Sequence, residues 1–339
     1  MRPARPACTL RGPSCLLSGL LACLIMCLIT TTALPLAAQP AVIYELGGKA
    51  DRSFNQAAFE GAERWKKATG GRYLEFEVGH SAQREQAARR FAERGAVPVV
   101  AIGFPQAASI TTVAREFPKT PFAIIDAVVD LPNVQSFIYR EHEGSFLVGL
   151  LAAMASKSGK VGFVGGMDIP LVRKFHCGFE QGARYANPKV VLLSAMAGST
   201  PAAWTDPERG AELTRSQIAR GVDVVFAAAG STGLGILQAA RDGGILAIGV
   251  DSNQNHLHPG TVLTSMVKRV DLAVLQAFGG VKPGITSLGL KEGGVDYALD
   301  THNDRLVTPA MRKAVDNAKA EIVAGRLKVI DYTVANSCQ

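Results

Sequence analysis

Two doubly wound α/β lobes of parallel sheet, joined by hinge strands, are what this sequence predicts. Three observations carry the expectation. Short apolar runs alternate with helical patterns from residue 41 to about 280. Near-continuous apolar runs of this kind are strands covered on both faces, the pattern of parallel sheets. The chain has 339 residues, 47% hydrophobic and 19% charged. That is ordinary globular composition, at a length of about two domains. Finally, one stretch of strand, Gly-Gly, loop and helix occurs twice.

The first 38 residues stand apart from this pattern. Arg2, Arg5 and Arg11 form a basic start with no acid, and an apolar stretch runs from Leu16 to about Ile29. Leu34-Pro35-Leu36-Ala37-Ala38 then offers small residues for cleavage. These features predict a secretory signal peptide, with an uncleaved anchor as the alternative. Leu20-Leu21-Ala22-Cys23 resembles a lipoprotein box, but the apolar Leu24 to Leu36 follows where a lipid-anchored chain has a polar linker. Export would leave only Cys177 and Cys338 in the mature chain. They either pair or stay separate thiols.

In order, the expected strands are 41–46, 73–78, 97–103, 121–129, 160–166, 190–196, 222–230 and 244–251. Helical patterns lie between them, among them Ser53–Thr69, Ala82–Arg94 and Asp206–Arg220. Val134–Tyr139 and then Glu141–Ser156 carry the chain into a second lobe. Beyond Asp251 the pattern loosens. A strand is expected at 261–269 near a hinge, then a helix at Val270–Phe278. Short strands follow at Ile285–Leu290, Val295–Leu299 and Lys328–Val334, with a helix at Pro309–Ala324. The division that follows puts 39–135 and about 252–283 in one lobe, and 136–251 and about 284–335 in the other.

The internal echo pairs residues 46–65 with residues 164–185. Phe59-Glu60-Gly61-Ala62 matches Phe179-Glu180-Gln181-Gly182-Ala183 with one insertion, which suggests two equivalent lobes. Phe59 and Phe179 fit helix–sheet packing. The differing loops, Lys49–Asn55 and Met167–Phe175, follow carboxyl ends of strands, where open α/β sheets bind ligands.

Several residues at those ends have chemistry to offer. Asp51 or Ser53 can cap the helix that starts nearby. Phe54 can stack on a flat ring, and Asn55 can donate to and accept from a base edge. Asp126, ending an apolar run, faces a ligand or pairs with a local lysine such as Lys119. Gly230, Gly233 and Gly235 lie between a strand and a helix, with Asp251 some twenty residues on. The spacing is not that of a dinucleotide fingerprint, so no nicotinamide cofactor is expected. Asp251 can still accept two ribose hydroxyls, and Lys268 can donate to them or lie solvated on the surface. Trp204, in a polar loop, closes on the other face of a flat ligand or plugs its own lobe.

Other chemistries find little support. His256 and His258 lack a third ligand at metal spacing, and no nucleophile elbow, zinc-protease motif or phosphate loop occurs. The formal charge of +7 is mild, loses three with the leader arginines, and comes with no basic run interleaved with aromatics. Nucleic acid is therefore not an expected partner. No later stretch is long and apolar enough to span a membrane.

The segments GGKADRSFNQAAFEGAERW, HEGSFLVGLLAAMAS, VDVVFAAAGSTGLGILQAA, IGVDSNQN and VLTSMVKRVDLAV resemble the basic membrane protein family. Its members are substrate-binding proteins of ABC transporters, similar to the bacterial purine nucleoside receptor. The resemblance runs from about residue 41 to 334. It implies a type I periplasmic-binding-protein fold closing on a nucleoside. Asp51, Phe54 and Asn55 match the first-lobe motif, and Asp126 the base-edge acid. Trp204 stands where a stacking phenylalanine is usual. Gly230, Asp251 and Lys268 match the ribose set. The expectation is a monomeric periplasmic receptor that delivers a purine nucleoside to a membrane permease, with no metal, no cofactor and no reaction. The alternatives are another planar solute such as a flavin, a sensory role, or a nucleoside hydrolase, for which no catalytic cluster is found.

Overall fold

Period-two alternation decides how each strand is used. In β1 (Ala41–Tyr44), Ala41 and Ile43 enter one apolar cluster while Val42 and Tyr44 enter another, and all four are buried. Val224–Ala228 repeats this, with Val225 and Ala227 on one side and Val224, Phe226 and Ala228 on the other. A strand apolar on both sides needs helices over both faces, which makes each lobe three layers deep.

The computed structural model describes residues 38–338. Residues 1–37 of the expected 38-residue signal segment, and with them the Cys23 alternative, fall outside the described residues. The first sheet contains β1, β2 (Leu74–Glu77), β3 (Val99–Ala101), β4 (Phe122–Ile125), β5 (Val134–Tyr139) and a late strand, β11 (Gly284–Leu288). Its order is β11-β5-β4-β3-β1-β2, all parallel. The second contains β6 (Lys160–Met167), β7 (Val191–Gly198), β8 (Val224–Ala228), β9 (Leu246–Asp251), β10 (Val262–Lys268) and β12 (Val295–Tyr297). Its order is β12-β10-β9-β8-β6-β7, parallel except that β12 runs against β10. β6 to β10 therefore repeat the order of β1 to β5, and the echo in the sequence is an echo in topology. Each sheet reverses its strand order at one place, between β1 and β3 and between β6 and β8. A crevice opens there at the carboxyl ends.

The repeated glycines have a packing reason. A Cβ at Gly61, on α1 (Phe54–Thr69), would overlap the backbone of Asp271 on a neighbouring helix, Val270–Gly279. A Cβ at Gly182, on helix Pro170–Ala186, would overlap the Phe146 carbonyl on helix Glu141–Ala155. Only glycine lets those axes approach so closely. Phe179 packs with Phe163 and Phe226 at centroid distances of 6.4 and 5.3 Å. Phe59 is partly buried beside the core.

The chain crosses between lobes three times: after Tyr139, after Lys268, and between Leu288 and Val295. The crossings are tied together. Arg140 donates its N–H to Leu288 O at 2.9 Å, Arg269 donates its own to Gly294 O at 2.8 Å, and the Tyr139 hydroxyl donates to Arg269 O at 3.1 Å. This path differs from the expected division at two segments. β10 belongs to the second sheet, because it continues the parallel ladder from β9, and only the helix after it returns to the first lobe. β11 then adds to β5 in the first sheet. The strand expected at Lys328–Val334 is also absent. Ile330 exchanges two hydrogen bonds with the Gln181 side chain, and Asp331 caps a short helical turn, Tyr332–Ala335. The backbone there is satisfied without a sheet partner. Cys177 and Cys338 form a disulfide that holds this segment to the second lobe.

Candidate functional site

A cavity of about 980 Å³, mouth included, lies between the carboxyl ends of the two sheets. All eight residues expected at the site line it: Asp51, Phe54, Asn55, Asp126, Trp204, Gly230, Asp251 and Lys268. They reach it from both lobes, and their bonding differs from what their side chains alone suggest.

Asp51 is a helix cap. Its Oδ1 accepts from the N–H groups of Ser53 (2.8 Å) and Gln56 (3.0 Å), and its Oδ2 accepts from Asn55 N at 2.9 Å. A carboxylate here satisfies orphan donors and suits the positive end of the helix dipole. Burial nonetheless raises its pKa, against those N–H donors. Asn55 is committed too. Its Oδ1 accepts from Glu45 N at 2.9 Å, and its Nδ2 donates to Asp51 Oδ2 at 3.1 Å and Leu46 O at 3.5 Å. The expected donor–acceptor pair for a base edge is thus spent on shaping the loop. What this shape presents to the cavity is Phe54, half-buried on the first turn.

Trp204 closes a 3-10 turn, Pro201–Trp204, opposite that ring's lobe. A Cβ at Gly166 would run into the indole, and Gly230, at φ +57°, lies against Trp204 O. The ring is therefore seated on its own lobe and also lines the cavity. The glycines after β8 divide: Gly230 faces the cavity, whereas a Cβ at Gly235 would overlap Pro207 O in helix packing.

Asp126 and Asp251 occupy equivalent places, after β4 and at the end of β9. Both adopt left-handed backbone, φ +66° and +63°, uncommon for a residue with a side chain. Asp126 pairs with Lys268, not Lys119, at 2.6 Å. Lys268 is 2% exposed and also pairs with Glu141 at 3.0 Å. It is ringed by Tyr139, Phe54 and Phe175 at 4.8, 5.2 and 5.6 Å from the centroids. Burial opposes its charge, but Asp126, Glu141 and Asp251 raise its pKa overall. Two of its three ammonium protons have partners, and the third is available to the cavity. Burial raises the Asp126 pKa, and its Oδ1 has no partner among the described residues. Glu141, buried completely, also pairs with Lys174 at 2.7 Å; burial pushes its pKa up, but the two lysines hold it lower.

Asp251 belongs to a direct latch between the lobes. The Ser53 hydroxyl donates to Asp251 Oδ2 at 2.7 Å, the Ser252 hydroxyl donates to Ser53 O at 2.6 Å, and Gln254 Nε2 donates to Arg52 O at 2.8 Å. Burial pushes the Asp251 pKa up to about 7, against Lys268 and the Ser53 bond.

Among the lining residues that the sequence reading did not name as site residues, four are charged or aromatic: Glu45, Arg84, Phe104 and Phe175. Phe175 ends the segment 167–175 that was expected to be a loop specific to its lobe, but it lies on the second turn of helix Pro170–Ala186. Glu45 ends the first apolar run, a position that signals a strand end. Arg84 had a sequence signal that went unread: it stands three, four, seven and eight residues before Ala87, Ala88, Phe91 and Ala92, which form the buried face of its helix, Gln83–Glu93.

The comparisons agree with this architecture. The Bmp family profile, described as ABC transporter substrate-binding protein PnrA-like, matches residues 39–329. The chain is 30% identical over 319 residues to the ABC transporter nucleoside-binding protein BmpA of Lactococcus lactis, covering 85% of this chain and 88% of that one. It is 35% identical over 277 residues to an uncharacterized lipoprotein of Pyrococcus furiosus, covering 76% and 69%. A solved structure of an ABC transporter solute-binding protein from Aeropyrum pernix superposes with a TM-score of 0.78 at 27% identity, covering 87% and 93%. The chain belongs to the Bmp family, the PnrA-like substrate-binding proteins of ABC transporters.

Proposed function

We propose that this protein binds a purine nucleoside in the cleft between its lobes and delivers it to the membrane permease of an importer. The observation that carries the reading is convergence. Phe54 and Trp204, from opposite lobes, line one cavity with Asp251 and Lys268. Aromatic faces suit a flat base, while a buried carboxylate and ammonium suit the hydroxyls of a sugar. The nucleoside-binding relative from Lactococcus lactis supports the same ligand class. The working form is a monomer outside the cytoplasm, exported by a cleaved signal peptide. It performs no reaction: ligand stabilises the closed arrangement and shifts the population toward it. Closure would extend the latch already formed by Ser53 and Asp251.

The test is direct. Protein purified from its native cells is denatured, and the released small molecules are identified by mass spectrometry. Stripped protein is then titrated calorimetrically with inosine, guanosine, adenosine and riboflavin. A saturable purine nucleoside supports the proposal. A flavin in the cleft, or free base released from inosine, overturns it.

A further inference from the structure

The end of the cavity beside Phe54 contains a buried ion pair. Glu45 and Arg84 are 9% and 8% exposed, and both line the cavity. Arg84 Nε donates to the two Glu45 oxygens at 2.9 and 3.2 Å, and Nη2 pairs with Oε1 as well. The pair is held in place from behind, because the Glu45 N–H is bonded to Asn55 Oδ1. It also sits next to the stacking ring. A Cβ at Gly103 would lie 3.5 Å from Phe54 Cε1 and 3.6 Å from Glu45 Cβ. Among the described residues, Arg84 Nη1 has no hydrogen-bond acceptor.

Guanidinium donates and never accepts. With Nε and Nη2 turned onto Glu45, Nη1 keeps two N–H donors without a partner among the described residues, on a side chain that lines the cavity. The carboxylate already balances the charge, so the site suits a neutral acceptor, not a phosphate. An exocyclic amine placed there would set donor against donor. On the far side of the same row of strand ends, Asp126 Oδ1 is buried without a partner among the described residues. It needs a donor from the ligand.

Resting on the purine nucleoside reading above, we infer that Arg84, held by Glu45, selects bases carrying an oxo group, so that the protein takes 6-oxopurine nucleosides in preference to adenosine. The C6 carbonyl of hypoxanthine or guanine accepts from Nη1, whereas the adenine amine cannot. The lactam N1–H of an oxopurine is also a donor of the kind Asp126 lacks, and adenine N1 is an acceptor. Arg84 is thus a specificity-determining residue, and Glu45 is the positioning residue that turns its third nitrogen inward.

The experiment is calorimetric titration of ligand-stripped protein with inosine, guanosine and adenosine. Inosine and guanosine are expected to bind at least about tenfold more tightly than adenosine, the scale of one hydrogen bond to a charged donor. The variant R84K keeps a cation for Glu45 but loses Nη1, and its inosine-to-adenosine affinity ratio should fall by about tenfold. The paired variant E45Q/R84M, which leaves no unpaired charge, should lose the same preference. Melting temperatures by circular dichroism establish that each variant is folded. Adenosine binding the unaltered protein as tightly as inosine overturns this inference alone. Unchanged affinity ratios in both variants do the same. Failure of every nucleoside to bind overturns the nucleoside reading, and this inference with it.

Discussion

Replacing Lys268 with methionine removes one ammonium and little volume, so it isolates the charge network at the hinge. Lys268 Nζ lies 2.6 Å from Asp126 and 3.0 Å from Glu141, with all three side chains almost wholly buried. Removing one partner of a buried pair costs about 3–5 kcal/mol, because the other charge stays behind in a medium of low dielectric. Glu141 retains Lys174 at 2.7 Å, so its loss is cushioned. Asp126 retains no hydrogen-bond partner for its carboxylate among the described residues, only the more distant charge of Lys174. The expected cost is therefore near the lower end, about 3 kcal/mol, equal to a drop of roughly 5 °C in Tm for a domain of this size. The pH dependence has a definite sign. Burial already holds Asp126 above its ordinary value, against the attraction of Lys268, and without that amine it rises further. An acid raised in the fold destabilises the fold above its folded pKa and ceases to do so below its unfolded one. The deficit of Lys268→Met is thus largest in alkaline buffer and shrinks toward acid. Urea denaturation without ligand, followed by circular dichroism, measures it. Adding Asp126→Asn should restore more than half of the lost stability. A Lys268→Met protein within about 0.5 kcal/mol of the parent, or no rescue in the double variant, would refute the claim that this pair governs the hinge.

Three further outcomes follow from the structure. Nucleoside affinity should fall as pH drops through about 7, where Asp251 takes up a proton, by up to about tenfold per unit, while Asp251→Asn gives a flat calorimetric profile. Without ligand the sign reverses, and the parent gains stability relative to Asp251→Asn as pH falls from about 7 toward the ordinary carboxyl value of 3.8. Gly182→Ala, whose new methyl would overlap the Phe146 carbonyl, should lose about 1–3 kcal/mol in urea denaturation despite alanine's better helix propensity.

What the sequence disclosed and what it withheld divide along physical lines. Strand positions were legible because parallel strands buried on both faces must be apolar throughout: β1 to β4, β8 and β9 fall inside expected runs, and β6 and β7 overrun theirs by one and two residues. The duplication was legible because Gly61 and Gly182 answer the same packing demand, a helix axis passing too close for any Cβ. Lobe membership after Asp251 was not. β10 and β11 belong to opposite sheets, and their local pattern contains nothing about which edge they extend.

The site divides in the same way. Strand-end acids and the first-turn aromatic announce themselves by position, and the eight expected residues line one cavity. Their partners could not, because partnership is decided by tertiary convergence. Asp51 and Asn55 look like ligand groups in one dimension, yet their polar atoms are consumed by backbone N–H and C=O groups and by each other. Arg84 looks like one more charge on a surface helix, yet it is buried against a carboxylate 39 residues away. Periodicity places it on the face of Ala87, Ala88, Phe91 and Ala92, which is buried, but the carboxylate that pairs with it comes from another element and leaves no trace in the helix's own pattern. The consequence is an exchange of roles. The polar groups that identify the family's first motif build the rim, and a residue with no motif provides a charged donor on the cavity wall beside Phe54.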